Sequence, residues 1–388
     1  MAVNYNPSVP TSNSVLYLDA LNAKSCQYNL LTYSQDFTNA SAWTVNGTIT
    51  ANTAIAPDGT LTASTLSSTS TNGYIWQAIT PVANSNYTFS IYVKSVTVGT
   101  TLDLYIYYNS GASAFAGATF TTTGNWQRIV ISGNVSTFTN VWATIGGAGT
   151  FTSGESIYIW GAQVNYGLSP APYIRTTSSA LTVWNDSSRN GNTGTMYGAV
   201  PYLTDGTGCL DFTGTTGANA SSATLGFTFA NNMIPLSGSF TLSCWVKSVM
   251  TTVGQSTLFS NAGGGDGYRF GIGTNGVYAL SGPGYNEATI AWTSTFDNTA
   301  WNNVVAVYDR AGILTGSPNV YTYLNGVYQG ALTLPTQFQS ANAVPGLVRN
   351  ACCQVWTGKL AVFSAYNSPF TADQTLQNYT ALRGRFGV

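Results

Sequence analysis

The feature that most constrains this chain is alternation. Stretches such as "TLDLYIYY" and "NYTFSIYVKS" place apolar residues at every second position. A strand turns successive side chains to opposite faces, so period two marks a half-buried strand, whereas a helix needs a 3.6-residue repeat. Before the C-terminus no segment sustains that longer repeat for three turns. The chain therefore reads as all-β, with β-sandwich or jelly-roll domains rather than parallel sheets, because Gly, Asn and Ser turns separate strands of ordinary length.

Further strands are expected at "WQRIVISG", "SIYIWGAQV", "SFTLSCWVKS", "STLFSNA", "YRFGIGTNGVYAL", "WNNVVAVYDR", "VYTYLNGVYQGAL" and "WTGKLAVFSAYN". Asn325-Gly326 supplies the positive φ angles of a two-residue hairpin. One short helix is predicted near "TADQTLQNYTALR", capped by Thr371, with Leu376, Tyr379 and Leu382 on one face.

At 388 residues the chain is longer than one core usually serves, which predicts two domains. Charged residues are only 6% of the chain, 12 basic against 13 acidic, and neither sign forms a run. Nucleic-acid binding by phosphate neutralisation has no footprint in such a sequence. The 44% hydrophobic content and the regularly spaced Trp and Tyr argue for packed structure rather than disorder.

Histidine is absent, which removes the usual general base, the commonest transition-metal ligand and the ordinary pH switch. Ser–His–Asp and Cys–His arrangements cannot form, and no Gly-x-Ser-x-Gly occurs. A glycosidase needs two carboxyl groups about 5–9.5 Å apart. The only glutamates, Glu155 and Glu287, fall in different expected domains, and Asp266 lies in the Gly-rich "NAGGGDGYRF". No catalytic residues are assigned, and the chain is expected not to be an enzyme.

The cysteines Cys26, Cys209, Cys244, Cys352 and Cys353 form no C-x-x-C pair and read as small buried residues, with Cys352 and Cys353 as neighbours in a strand. "NDSSRNGNTG" sets Asp186, Ser188 and Asn190 at alternate positions before Gly191, loosely the oxygen spacing of a calcium loop. It lacks a bidentate glutamate, and an Asx-rich turn is the plainer reading. Calcium is the one ion left open; no other cofactor is expected.

The start "MAVNYNPSVPTSN" has neither a basic nor an apolar leader region, and no apolar run approaches the ~20 residues that span a bilayer. Cytosolic synthesis without membrane insertion is expected. Composition nevertheless suits an extracellular surface, and a virus particle assembled in the cytosol reconciles the two.

Two resemblances then order the chain. "FTLSCWVKS", "WNNVVAVYD", "VYTYLNGVYQGALT" and "GKLAVFSAYNSPFTADQTLQNYTALRGRFG" resemble the laminin G-like, concanavalin A-like jelly roll, in the form found in tailed-phage virion proteins. That form opens with segments similar to "VLYLDALNAKS" and "WNDSSRNGNTGTMYGA", which here stand far apart. The gap holds "NLLTYSQDF", "APDGTLTASTL", "YIWQAITPVANSNYTFSIYVKS", "GNWQRIVISG" and "IYIWGAQVNYGLSPAPYIRT", which look like a carbohydrate-binding-module β-sandwich. The implied organisation is a discontinuous jelly roll, 1–28 plus 179–388, with a second sandwich, 29–178, inserted in a loop of the first. Insertion is tolerated where a guest's termini lie close together, and loop closure costs grow only logarithmically.

The resemblance implies a structural protein on the exterior of a bacteriophage particle, such as a head decoration, fibre or tail-associated component. Its partners would be phage coat or tail proteins, other copies of itself and host-surface glycans. A carbohydrate-active enzyme accessory or a free lectin is the alternative. For the contact face, Tyr92, Lys94, Asp103, Tyr105 and Tyr107 alternate outward from apolar neighbours and would form one surface if their strands share a sheet. Phenol rings beside hydrogen-bonding groups suit a sugar, and equally a protein interface. Trp43, Trp76, Trp126, Trp142 and Trp160 read as core or edge packing.

Overall fold

The computed structural model describes residues 8–22, 24–96, 99–108, 113–147, 149–204, 208–216, 223–231, 233–234, 238–249, 257–261, 268–281, 287–333, 345–348 and 355–388. Asp266, Cys352 and Cys353 lie outside the described residues. Among the described residues the architecture is β-sandwich, with one helix near the C-terminal end of the chain. It divides into two compact units, one of Met1–Cys26, Val183–Val200 and Asp205–Val388, the other of Gln27–Thr182 and Pro201–Thr204.

The second unit is a sandwich of two antiparallel sheets. One runs Thr44–Asn46, Tyr74–Ile79, Val141–Gly146, Thr101–Tyr108, Ser113–Thr121; the other runs Gln127–Asn134, Asn86–Ser95, Ser156–Tyr166, Ala63–Ser67, Thr48–Ala54. Phe89, Ile91 and Val93 from the second sheet and Leu102, Leu104 and Ile106 from the first are fully buried in one core. On both strands alternation picks out the apolar residues that enter this core.

In the larger unit, Cys209–Asp211, Lys359–Tyr366, Phe240–Lys247, Asn302–Asp309, Asn319–Leu324 and Val327–Thr333 lie side by side, and Ser14–Asp19 also pairs with Lys359–Tyr366. Its other sheet includes Gly194–Tyr197, Gly226–Phe229, Gly346–Leu347, Phe259–Ser260, Tyr268–Gly273, Gly276–Ser281 and Glu287–Ala291 in that order. The strand Phe240–Lys247 is buried at every position but the last, because both of its faces are covered. On one side Phe240 packs edge-on to Tyr268 of the other sheet at 4.6 Å between ring centres. On the other, Trp245 stacks on Phe386 of the helix at 4.2 Å.

That helix, Ala372–Phe386, starts with a capping box between Thr371, the expected cap, and Gln374, and ends on Gly387 at φ 71°. Its buried face differs from the expected one. Thr375 and Asn378 are buried, with Asn378 donating to Ser243 Oγ at 2.7 Å, while Leu376 is 50% exposed. A hydroxyl on the sheet below selects an amide at this position, while of the expected stripe Tyr379 does dock, stacking on Trp245 at 5.8 Å. The hairpin at Asn325 (φ 51°) and Gly326 (φ 78°) forms as expected.

Candidate functional site

Several acidic residues serve turns and loops. Asp36, Asp58, Asp211 and Asp297 each accept a hydrogen bond from the threonine two residues further on, closing Asx-type turns. Glu155 Oε2 accepts from the backbone N–H and hydroxyl of Thr152 at 2.6 and 2.9 Å. Asp309 is fully buried and accepts from the backbone N–H groups of Ile313 and Leu314 at 2.8 and 2.7 Å. These carboxylates organise loops.

The structure brings Asp186, Ser188 and Asn190 together, but as a turn. Asp186 Oδ1 accepts from the backbone N–H of Tyr17 and Ser188, and Oδ2 from Ser188 Oγ and the N–H of Asn192, at 2.8–3.1 Å. Asn190 Nδ2 donates to the Ser14 carbonyl at 2.8 Å. Calcium needs six to eight free oxygen ligands, and both oxygens of this carboxylate already serve protein donors. The residues as arranged do not fit that ion. They fasten the first strand, Ser14–Asp19, to the loop after Trp184. No cluster of three or more Cys, Asp or Glu side chains with metal-binding spacing occurs among the described residues.

Cys26, Cys209 and Cys244 are buried thiols. Burial, with a smaller contribution from Asp19, pushes the Cys26 thiol up to about 12, so it is an inert packing residue.

The expected contact face of Tyr92, Lys94, Asp103, Tyr105 and Tyr107 is corrected in two respects. Tyr92 and Lys94 stand on one sheet of the smaller unit, while Asp103, Tyr105 and Tyr107 stand on the opposite sheet. All five turn away from the apolar core as alternation requires, but onto the two outer faces of a sandwich. Consecutive strands here cross from sheet to sheet, so period two fixes the side and not the partner.

The second correction concerns Asp103, which is 1% exposed. Its carboxylate accepts from the hydroxyls of Thr119 and, at 2.8 Å, Thr150, and shares a hydrogen bond with Tyr105. Capped by these hydroxyls, it braces the face from beneath. Burial, and then the neighbouring Asp103 charge, raises the Tyr105 hydroxyl above its ordinary range; burial and then Tyr105 do the same for Tyr107.

The face that carries Tyr105 and Tyr107 holds two residues that sequence reading assigned to packing. Trp142 lies directly across from Tyr107, and Thr144 separates Trp76 from Tyr105 in the next row. Trp76 and Trp142 are stacked at 4.2 Å with 12° between planes, and Tyr105 and Tyr107 sit 4.8 Å apart. All four are partly exposed. The result is an aromatic strip across three adjacent strands. The signal was present, since "YIWQAI" and "VWATIG" alternate Ile75 and Gln77, then Val141, Ala143 and Ile145, inward around each tryptophan. Trp43 and Trp160 do pack internally, at 3% and 4% exposure, and Trp126 packs against the Trp160 cluster.

Small residues shape the ground around the strip. The Tyr105 ring lies against Gly117 on the neighbouring strand, where any Cβ would collide with it. Beside it is a shallow depression of about 420 Å³ lined by Tyr105 and residues 114–119. At the other end Trp76 borders a cleft of about 560 Å³ with Thr32, Thr44, Gln77, Thr80 and Tyr166. Such an arrangement offers ring surface, hydroxyls and amides along a line.

On the opposite outer face the chain covers itself. Gln163 Nε2 and Arg128 Nη2 both donate to the Ala171 carbonyl, at 3.0 and 2.8 Å, and Gln163 Oε1 accepts from Ile174 N–H at 3.0 Å. Asn165 accepts from Ala171 N–H and donates to the Ser169 carbonyl at 3.0 and 2.9 Å. Tyr92 packs edge-on to Trp160 and Tyr173.

Among described residues, no helix is long and apolar enough to cross a membrane. Among curated proteins, none matches the sequence. The sequence profile described as the concanavalin A-like lectin/glucanases superfamily, of laminin G type, matches residues 219–375. Similar solved structures include the receptor-binding domain of botulinum neurotoxin type G, at 16% identity and TM-score 0.37, covering 50% of this chain and 47% of that one. The binding domain of Paraclostridial Mosquitocidal Protein 1 is 11% identical at TM-score 0.39, covering 50% and 48%. Domain 4 of the extracellular arabinanase AbnA from Geobacillus stearothermophilus, solved with arabinotriose, is 16% identical at TM-score 0.39, covering 50% and 92%. The chain thus spans about half the length of the toxin binding domains, and at such TM-scores no residue and no role carries across. Over residues 219–375 the larger unit is similar to concanavalin A-like, laminin G-type jelly rolls.

Proposed function

We propose that this chain is a non-catalytic protein of a bacteriophage exterior, and that its smaller unit adheres to host-surface glycans through Trp76, Trp142, Tyr105 and Tyr107. One observation carries the adhesive reading: aromatic rings, small residues and hydroxyls share an outward sheet face that the core does not use. Sugars combine apolar C–H faces with hydroxyls, and rings flanked by polar groups match both. The phage setting is supported by the resemblance of the flanking segments to virion jelly rolls and by a weakly charged, Thr- and Asn-rich composition. In this reading the unit Gln27–Thr182 is a guest in a loop of the jelly roll, which attaches to coat or tail proteins and to further copies of itself. Many weak sites on one particle would add up to firm adhesion.

The test is affinity electrophoresis of the full chain through gels containing host-envelope polysaccharide. Retardation should be lost in the double variant Trp76→Ala, Trp142→Ala without loss of the folded transition. Equal retardation of wild type and variant would refute the site. Recovery of the chain with purified particles at fixed stoichiometry separates a virion component from a free lectin.

A further inference from the structure

We infer that the aromatic face selects neutral glycans and rejects acidic ones, an inference that rests on the glycan reading above. The argument is electrostatic. Within the smaller unit the cations are Lys94, Arg128 and Arg175. Lys94 and Arg128 stand on the strands Asn86–Ser95 and Gln127–Asn134 of the other sheet. Arg175 belongs to the segment that covers that sheet, next to Ile174 and Thr176, which bond to Gln163 and Ser34.

The sheet bearing the strip contains no Lys or Arg in any of its strands, and its one formal charge is the Asp103 carboxylate. No charged residue lines the cleft beside Trp76 or the depression beside Tyr105. A uronate, sialate or phosphate laid along this line would meet no cation. It would also lie near a carboxylate whose field the buried setting screens poorly. A neutral chain meets only rings, hydroxyls and amides. Neutral recognition of this kind has little dependence on ionic strength, because there are no paired charges to screen.

The experiment runs the full chain through gels containing neutral polymers (a glucan, a mannan, a galactan) or acidic ones (alginate, polygalacturonate, a sialylated polymer), from roughly 0.02 M to 0.5 M salt, a range over which the screening length falls about five-fold. Retardation by at least one neutral polymer and by none of the acidic ones, abolished in the Trp76→Ala, Trp142→Ala variant and changing less than about two-fold with salt, is the expected result. Comparable or stronger retardation by any acidic polymer, or a steep loss of neutral binding with salt, overturns the charge selection while leaving a glycan site in place. Retardation by none of them overturns the glycan reading and this inference together.

Discussion

The two outer faces of the smaller unit are built on the same sandwich and begin with the same alternation, yet they end differently. On one, Gln163, Asn165 and Arg128 meet the carbonyls and N–H groups of residues 169–174. On the other, Trp76, Trp142, Tyr105 and Tyr107 stand among Ala78, Thr144 and Gly117. Amide side chains carry both donors and acceptors and so match a passing backbone, whereas rings beside small residues leave backbone groups unanswered. The chemistry of an outward row therefore tells what is meant to lie on it.

The sharpest way to break this contrast is to remove one ring from each face. Trp160→Ala, emptying a buried aromatic site, should cost about 3–5 kcal/mol of stability in denaturant unfolding. A loss under about 1 kcal/mol would mean that the covered face is not sealed. Asn165→Ala strands the Ala171 N–H and the Ser169 carbonyl, and should cost about 1–3 kcal/mol by the same measurement.

Alkaline titration compares the tyrosines. Burial holds the Tyr173 hydroxyl up to about 12, only partly offset by hydrogen bonds from Ser34 and Gln35. An acid whose folded pKa is raised favours the folded state fully below the unfolded value near 10 and loses that contribution as pH rises toward 12. Unfolding midpoints should accordingly fall above about pH 10, and less steeply in Tyr173→Phe. An identical fall in the variant would show that Tyr173 is not sealed.

On the open face effects on stability should be smallest and effects on binding largest. Trp142→Ala should cost about 0.5–1.5 kcal/mol, the worth of one stacked pair. Gly117→Ala, which displaces the Tyr105 ring, should weaken retardation in polysaccharide gels at least several-fold, with stability changed by about 1 kcal/mol. Unchanged retardation in Gly117→Ala would remove Tyr105 from the site.

Much of this molecule is written in local pattern. The strand Asn86–Ser95, the Asn325-Gly326 hairpin and the Thr371 cap all follow from neighbours a few residues apart. What local pattern omits is partnership across the fold. Tyr92 and Tyr105 follow one rule of alternation and face opposite ways in space, because the chain changes sheets between them. Asp103 reads as outward and is buried, because Thr119 and Thr150 arrive from later strands and loops to satisfy it. Asp186 reads as a loose cation ligand and is a staple, since Tyr17 lies far earlier in the chain. Trp76 and Trp142 show the reverse case, where alternation pointed outward and the expectation that tryptophan packs inward prevailed.

Hydroxyl-radical footprinting of the full chain, read by mass spectrometry with and without a neutral polysaccharide that retards it, tests the contrast between faces most directly. The account predicts that Trp76, Trp142, Tyr105 and Tyr107 are oxidised in the free protein and protected on binding, while Trp160, Tyr92 and Tyr173 are slow to oxidise in both states. Protection appearing at Tyr92 and Tyr173, or polysaccharide binding that leaves Trp76 and Trp142 as reactive as before, would contradict it.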